Sequence, residues 1–191
     1  SLPALLATPI TSDSVALRAQ PPGCSLAFGS ADATVEVAGR DTVLRMRPIG
    51  TWRPPQSAPG LVCYDSSDGR STVVYRPIPQ GVKEDLVLFD ESAFGSGIFG
   101  WTLELADGHD ARLQGDGSID IYEGQSRRAR IPAPVATDGP GRSLAASFSL
   151  AMPFLSVNVA RPGAYPVTVD PSVTLTFDAD FRFAGTDEGL V

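Results

Sequence analysis

The sequence predicts an all-β protein, built as an antiparallel β-sandwich or a barrel-like arrangement of many short strands. Short runs of alternating apolar and polar residues recur about every 8 to 12 residues, as in sandwiches and barrels. The 19 glycines and 17 prolines are spread along the chain and separate these runs. No stretch of about 10 residues combines helix-forming residues with the 3.6-residue period of a helix.

The clearest hairpin comes early in the chain. Residues 34–38 and 42–47 both alternate, and the break at 39–41 contains a glycine. Two loops, at 50–60 and 132–141, are rich in glycine and proline. The other strands are predicted by the same alternation and by β-branched or aromatic residues. They are expected at residues 61–64, 72–76, 82–89, 101–105, 111–113, 118–122, 127–131, 145–150, 155–159, 165–169 and 173–177.

Three regions follow from this pattern. Residues 1–23 are predicted to form an irregular N-terminal arm with one short strand at 14–18. Residues 24–178 are predicted to form a single β domain, either undivided or split into two sub-sheets or lobes. Residues 179–191 are acidic and form either a tail or the start of a next module.

Composition and charge restrict the classes of function. Hydrophobic residues make up 42% of the chain and charged residues 19%, which indicates a folded domain. The formal net charge of −7 argues against nucleic acid and anionic membranes as partners. Membrane insertion is not expected, because no apolar run approaches the roughly 20 residues of a spanning helix. The first residues lack a signal peptide's basic flank, which leaves export open because a signal is cleaved from the mature protein.

The two cysteines, Cys24 and Cys63, form either a disulfide or two buried thiols. A disulfide would close a loop of about 40 residues and contribute roughly 4 kcal/mol by the chain-entropy argument. A zinc site is not expected, because there is no second cysteine pair and His109 is the only histidine. His109 lies in an Asp-Gly turn, where a solvated histidine is favoured over a general base or a metal ligand.

Acidic residues suggest two kinds of site, and the ordinary structural explanation is favoured for both. Four aspartates lie close together in sequence, and their oxygens suit calcium, but Asp/Gly turns between strands look the same without an ion. These residues are Asp107, Asp110, Asp116 and Asp120. Whether calcium binds them is left open.

Glycosidase carboxylates are the second kind of acidic site. Glu84 and Asp85 are adjacent on a predicted strand, so their side chains point to opposite faces and cannot flank one substrate together. Glu104 is the third candidate, and a solvated strand is favoured for all three. No serine lies in a nucleophile elbow. The sequence therefore predicts no catalytic residue, no cofactor and no metal ligand.

Aromatic and basic residues give weaker signals. Trp101 lies in an alternating strand and is expected in the core, whereas Trp52 lies in a loop and is a weak candidate for stacking on a ligand such as a sugar. The arginines at 127, 128 and 130 are interpreted as charges that guard a strand edge.

Three segments carry a family resemblance. They are residues 74–88 (VYRPIPQGVKEDLVL), then 116–119 followed by 131–134 and Asp138, and finally 165–171 (YPVTVDP). In order and spacing, over roughly residues 33–175, they resemble the N-terminal region of large secreted actinobacterial surface proteins with Rhs/YD repeats. The two cysteines and the acidic end after Asp178 depart from that pattern.

The resemblance implies location more than chemistry. It implies a secreted or cell-surface protein and no known catalytic residue to carry over. If the protein is exported, Cys24 and Cys63 are expected to be joined. The expected function is that of a non-catalytic structural or interaction module whose partners are neighbouring domains of the same chain, a surface glycan or another protein. The alternative is an extracellular module that binds or degrades carbohydrate.

Overall fold

The computed structural model describes residues 11–13, 16–30, 32–39 and 43–175, and it confirms the all-β prediction. These residues form two antiparallel sheets and one single-turn helix, α1 (Glu91–Phe94). In chain order the strands are β1 (Thr11–Asp13), β2 (Ala16–Ala19), β3 (Ser25–Gly29), β4 (Val35–Ala38), β5 (Val43–Pro48), β6 (Gln56–Ala58), β7 (Leu61–Asp65), β8 (Ser71–Ile78), β9 (Gly81–Leu88), β10 (Ile98–Leu105), β11 (His109–Leu113), β12 (Ile119–Glu123), β13 (Ser126–Ile131), β14 (Val135–Thr137), β15 (Ser143–Leu144), β16 (Ala146–Ala151), β17 (Phe154–Val159), β18 (Val167–Asp170) and β19 (Val173–Leu175).

The first sheet runs in the order β1-β2-β3-β4-β5-β10-β17-β16. Its first five strands follow the chain as a meander, and the β16–β17 hairpin then pairs with β10 on the far side of β5. Its inner face is apolar because every second residue is buried, as with Phe28, Leu44 and Trp101.

The second sheet is organised around β9. Strand β8 pairs with one edge of β9 along its whole length and continues through β7 to β6. The other edge of β9 is shared by β18 and β19. Outside β18 lie β14 and β15, and outside β19 lie β13, β12 and β11, so this side of the sheet divides into two parts.

Strands β18 and β19 are one strand interrupted by a proline. Val169 lies opposite Leu86 and Val173 opposite Val82, so both strands keep one register against β9. Pairing is lost between them at Pro171, which has no N–H to donate. The prolines at 132 and 134 interrupt the neighbouring β13–β14 segment at the same level, which explains the division of the sheet.

The core lies between the two sheets and is closed by polar bonds as well as apolar packing. The Tyr64 hydroxyl donates to the carbonyl of Gly29 at 2.5 Å, and the Tyr75 hydroxyl donates to the carbonyl of Ala33 at 2.7 Å. Both tyrosines are fully buried in the second sheet, and both acceptors belong to the β3–β4 segment of the first. These bonds satisfy the phenol groups and hold the two sheets in one relative position.

The predicted strands are found with shifts of a few residues, and several elements were not foreseen. The predicted arm strand at 14–18 is β2, and β1 precedes it in the same sheet. Strand β3 and helix α1 were not predicted, and β6 and β14 lie inside the two predicted loops. The last predicted strand is described as far as Leu175, and the acidic segment 179–191 lies outside the described residues. Within the described ranges there is no helix with the length and apolar character needed to cross a bilayer.

Candidate functional site

A cleft lies where the chain crosses from the first sheet to the second, and we call it the Trp52 cleft. It has a volume of about 630 Å³. Its floor is formed by the end of β9, one side by the β5–β6 crossover and the start of β10, and the other side by the β7–β8 turn and α1. Lining residues include Ile49, Trp52, Ser66, Leu88, Ser92 and Ile98.

Trp52, the weak ligand candidate from sequence, is a wall of this cleft, but most of its ring is covered. It is 8% exposed, its indole Nε1 donates to the carbonyl of Pro48 at 3.2 Å, and it forms a β-bridge with Ser66. Its ring packs so closely on Gly50 that a Cβ there would lie 3.3 Å from the ring atoms. Trp52 therefore shapes the cleft and offers little ring surface for stacking.

The polar side of the cleft is a turn whose groups mainly bond one another. The Ser66 hydroxyl donates to Asp68 at 2.6 Å, and the same carboxylate accepts from the backbone N–H of Arg70 at 3.0 Å. These bonds lower the pKa of Asp68, the one from Ser66 most. The opposite side is apolar, and Ile49 and Ile98 are more than half exposed there. The cleft thus joins apolar contact area to a rim of hydroxyls, a lining suited to binding.

Glu84 is the most unusual ionisable group of the described residues. Sequence reasoning placed it on a solvated strand, which is wrong: it is fully buried on the inner face of β9. Its Oε1 accepts a 2.6 Å hydrogen bond from the indole Nε1 of Trp101, whereas Oε2 has no partner. Burial raises the pKa of Glu84 to about 8, against the effect of the Trp101 bond. The alternation of the sequence does not reveal that Glu84 is buried, because alternation shows that a strand has two faces and does not show which of them packs against the other sheet.

Asp85 follows Glu84 and, as predicted, points to the opposite face, but it is only 7% exposed, so the prediction of a solvated side chain is wrong for it too. There its carboxylate forms an ion pair with Arg76 and lies 3.3 Å from the ammonium of Lys83, which also pairs with Asp170. Glu104 is exposed on the outer face of the first sheet, 3.8 Å from Arg45. The three candidate glycosidase carboxylates are therefore distributed over three separate surroundings.

Three of the four aspartates considered for calcium, Asp110, Asp116 and Asp120, are engaged by arginines. Asp120 is almost completely buried and accepts two bonds from Arg130, at 2.6 and 3.0 Å, which lower its pKa. Arg130 also lies 3.5 Å from Asp116, and Arg112 lies 2.6 Å from Asp110. Among the described residues there is no group of three His, Cys, Asp or Glu side chains able to hold a metal ion.

The prediction that the basic cluster at 127, 128 and 130 guards a strand edge is wrong for Arg130. These arginines belong to β13, which pairs with β12 along one side, and on the other side Ala129 and Arg130 pair with β19. Arg128 donates to Glu123 at 2.8 Å, and Arg127 lies 3.6 Å from Asp120. The cluster therefore neutralises acidic side chains of the adjacent strand β12.

His109 is less solvated than its turn sequence predicts. It is the first residue of β11 and is half-buried, with Nδ1 at 3.2 Å from the carbonyl oxygen of Asp107. Its Nε2 is covered and has no hydrogen-bond partner. The described structure places no nucleophile within hydrogen-bond distance of the ring, so the arrangement resembles no catalytic triad.

Cys24 and Cys63 are both free thiols in the structure, and Cys24 is buried whereas Cys63 is only partly buried. The two cysteines are not bonded because the side chain of Cys63 faces away from Cys24. Its neighbour Tyr64 points to the first sheet and bonds Gly29, so Cys63 points away from that sheet, while Cys24 belongs to the core between the sheets. Burial raises the pKa of Cys24 to about 11 and also raises the pKa of Cys63.

Compared with protein-family models, with curated proteins and with solved structures, the chain gives no match. The function is therefore inferred from the residues and their geometry.

Proposed function

We propose that this chain is a non-catalytic structural and interaction module of a large exported bacterial surface protein. One observation carries the non-catalytic part: the buried carboxylates of the described residues are held in structural bonds. Glu84 is bonded to Trp101, and Asp120 and Asp138 are each held by an arginine. The resemblance to the N-terminal region of Rhs/YD-repeat proteins supports the location.

Acid–base hydrolysis needs two groups that reach one substrate. Glu84 carries the raised pKa of a general acid, but it is fully buried between the sheets and is separated from the Trp52 cleft by Leu86 on the same face of β9. The carboxylate that does line the cleft, Asp68, has a lowered pKa and holds its own turn. These two carboxylates therefore cannot work as the pair that a glycosidase requires.

The test of the module role compares this chain alone with the same chain joined to the segments that flank it in its gene. Contact with a neighbour stabilises the folded domain, and each kcal/mol raises the unfolding midpoint by roughly 2–4 °C for a domain of this size. We expect a higher midpoint for the joined protein in calorimetry. An unchanged midpoint, or turnover of polysaccharide or peptide substrates by the purified chain, contradicts the proposal.

Carbohydrate binding in the Trp52 cleft is the second candidate, and the lining of the cleft favours it. A tryptophan edge and two isoleucines line the cleft together with Ser67 and Ser71, and sugars present both C–H faces and hydroxyl groups. Glycans found on an array are to be titrated calorimetrically into wild type and Ser67→Tyr, which fills the cleft. Ser143→Tyr, an exposed serine outside the cleft, is the matched control. If Ser67→Tyr loses binding and Ser143→Tyr keeps it, the result supports this candidate. Equal binding by both variants contradicts it.

A further inference from the structure

We propose that β16 is a self-pairing edge strand, through which two copies of this chain join their first sheets into one continuous antiparallel sheet. Strand β16 ends the first sheet and pairs only with β17 in the described structure. An unpaired strand edge presents a row of backbone donors and acceptors that another strand can satisfy.

The first argument is the absence of edge protection. Residues 143–160, which contain the whole β16–β17 hairpin, carry no charged side chain, although 19% of the chain is charged. Strand β16 itself, Ala146–Ala151, contains no proline and keeps one register against β17 without a bulge. Natural sheets normally block an open edge with at least one of these devices.

The second argument is that the other edges of the described sheets are protected. Strands β6 and β15 have three and two residues, too few for an extended ladder. Strand β11 carries Asp110 and Arg112. Strand β1 has three residues, one of them Asp13. Among these edges β16 is the longest, and of the two edge strands with five or more residues, β11 and β16, it is the one without charge.

The third argument comes from the backbone groups that point outward. The N–H of Ala160 donates to the carbonyl of Ala145 at 2.8 Å, so residue 145 turns its groups toward β17. In an antiparallel ladder this orientation alternates, so residues 147, 149 and 151 also bond β17. The N–H and C=O groups of Ala146, Phe148 and Leu150 are then directed to the open side.

These three residues define a self-complementary register. With Phe148 opposite Phe148 of the second copy, Ala146 lies opposite Leu150, and the outward backbone groups of both strands meet as hydrogen-bonded pairs. Ser147 then lies opposite Ser149, both on the exposed outer face. Phe148 is 6% exposed and faces the core, so the two core faces stay on the same side of the joined sheet.

Charge also favours this edge as the meeting point. Each copy carries a formal net charge of −7, so two copies repel over most of their surface, whereas β16 adds nothing to that charge. The charged residues Asp110 and Arg112 of the nearby strand β11 cancel each other, because they pair at 2.6 Å. Six residues of added ladder form a small interface, so the dimer is expected to be weak and reversible.

Charge exchange at the serine pair tests both the edge and the register. Ser147→Lys/Ser149→Lys places lysines opposite lysines in the dimer, and Ser147→Glu/Ser149→Glu places glutamates opposite glutamates, so each variant should be monomeric. An equal mixture places lysine opposite glutamate twice and should dimerise again. Sedimentation equilibrium from roughly micromolar to millimolar protein measures the average mass. For wild type it should rise from 20.0 kDa toward twice that value.

Gln56→Lys/Ala58→Lys, with the same spacing on exposed edge strand β6, is the matched control and should dimerise like wild type. Circular dichroism checks that each variant folds. If the lysine variant does not fold, Ala146→Pro replaces it, because this proline removes one outward N–H and leaves the β17 ladder intact. A wild type that stays monomeric at every concentration overturns the proposal, and so does dimerisation that the folded β16 variant leaves unchanged.

Discussion

The indole Nε1 of Trp101 and the carboxyl Oε1 of Glu84 are joined by a 2.6 Å hydrogen bond that crosses from the first sheet to the second. Both residues are fully buried. The bond satisfies the only hydrogen-bond donor of the indole side chain and one of the two oxygens of the carboxyl group. This carboxyl group therefore links the two sheets within the core, and its protonation is linked to folding.

Glu84 should make stability fall as pH rises from about 5 to 8. Burial raises its folded pKa to about 8 from an ordinary value of 4.5, so the folded state holds a proton that the unfolded state releases. This contribution is fully present below pH 4.5 and is lost as pH rises through 8, at up to about 1.4 kcal/mol per pH unit. Urea unfolding of wild type and Glu84→Gln at several pH values measures it.

The neutral amide of Glu84→Gln cannot ionise, so the two proteins should be close in stability at pH 5 and the variant more stable at pH 8. The difference between them isolates Glu84 from every other titrating group. Parallel curves over this range would mean that Glu84 titrates alike in the folded and unfolded states.

Trp101 and Glu84 should be energetically coupled. Trp101→Phe removes the 2.6 Å hydrogen bond to Oε1 of the buried carboxyl group, and an unsatisfied buried group costs about 1–3 kcal/mol beyond the loss of ring volume. In a Glu84→Leu background the same substitution loses ring volume but also removes an indole N–H that no longer has its acceptor. A double-mutant cycle by urea unfolding should give a coupling energy of about 1–3 kcal/mol. Strict additivity of the two substitutions would show that the bond contributes nothing to stability.

Two ion pairs of similar geometry should differ greatly in their contribution. The side chain of Asp120 is 4% exposed beside Arg130, whereas that of Asp110 is 51% exposed beside Arg112, and both pairs have a contact of 2.6 Å. Asp120→Ala leaves a half-buried arginine without its main partner and should destabilise by about 3 kcal/mol. Asp110→Ala should produce no measurable loss, because solvent screens an exposed pair. Equal losses in denaturant unfolding would contradict this argument from burial.

Both cysteines should titrate as free thiols. Denatured, unreduced protein should react with two equivalents of a thiol reagent, because Cys24 and Cys63 are not bonded in the fold. In the native protein Cys24 should react far more slowly, since burial raises its pKa to about 11 and the thiolate is the reactive form. Cys24→Ser and Cys63→Ser assign the two rates. A reading near zero in denatured protein would show a disulfide and would contradict this expectation.

Local pattern predicts local structure well in this chain. The alternation at residues 101–105 predicted β10 and the burial of Trp101, and the Asp-Gly turns at 107–108 and 116–117 separate strands as expected. Such signals succeed because side-chain alternation and turn dihedrals are properties of a few adjacent residues. Strand β14 was missed because prolines precede it, and β6 because it is three exposed residues in a proline-rich loop.

The amino-acid sequence by itself determined the all-β class and the positions of most strands. It also determined the acidic net charge, the uncharged stretch at residues 143–160 and the distribution of prolines. The tertiary structure alone decided which strands are neighbours and which face of each strand is covered. Glu84 and Trp101 are 17 residues apart, and only the packing of one sheet on the other brings them into contact and removes water from both. The same packing turns Cys63 away from Cys24 and leaves β16 at an edge, because burial and pairing depend on partners distant in sequence.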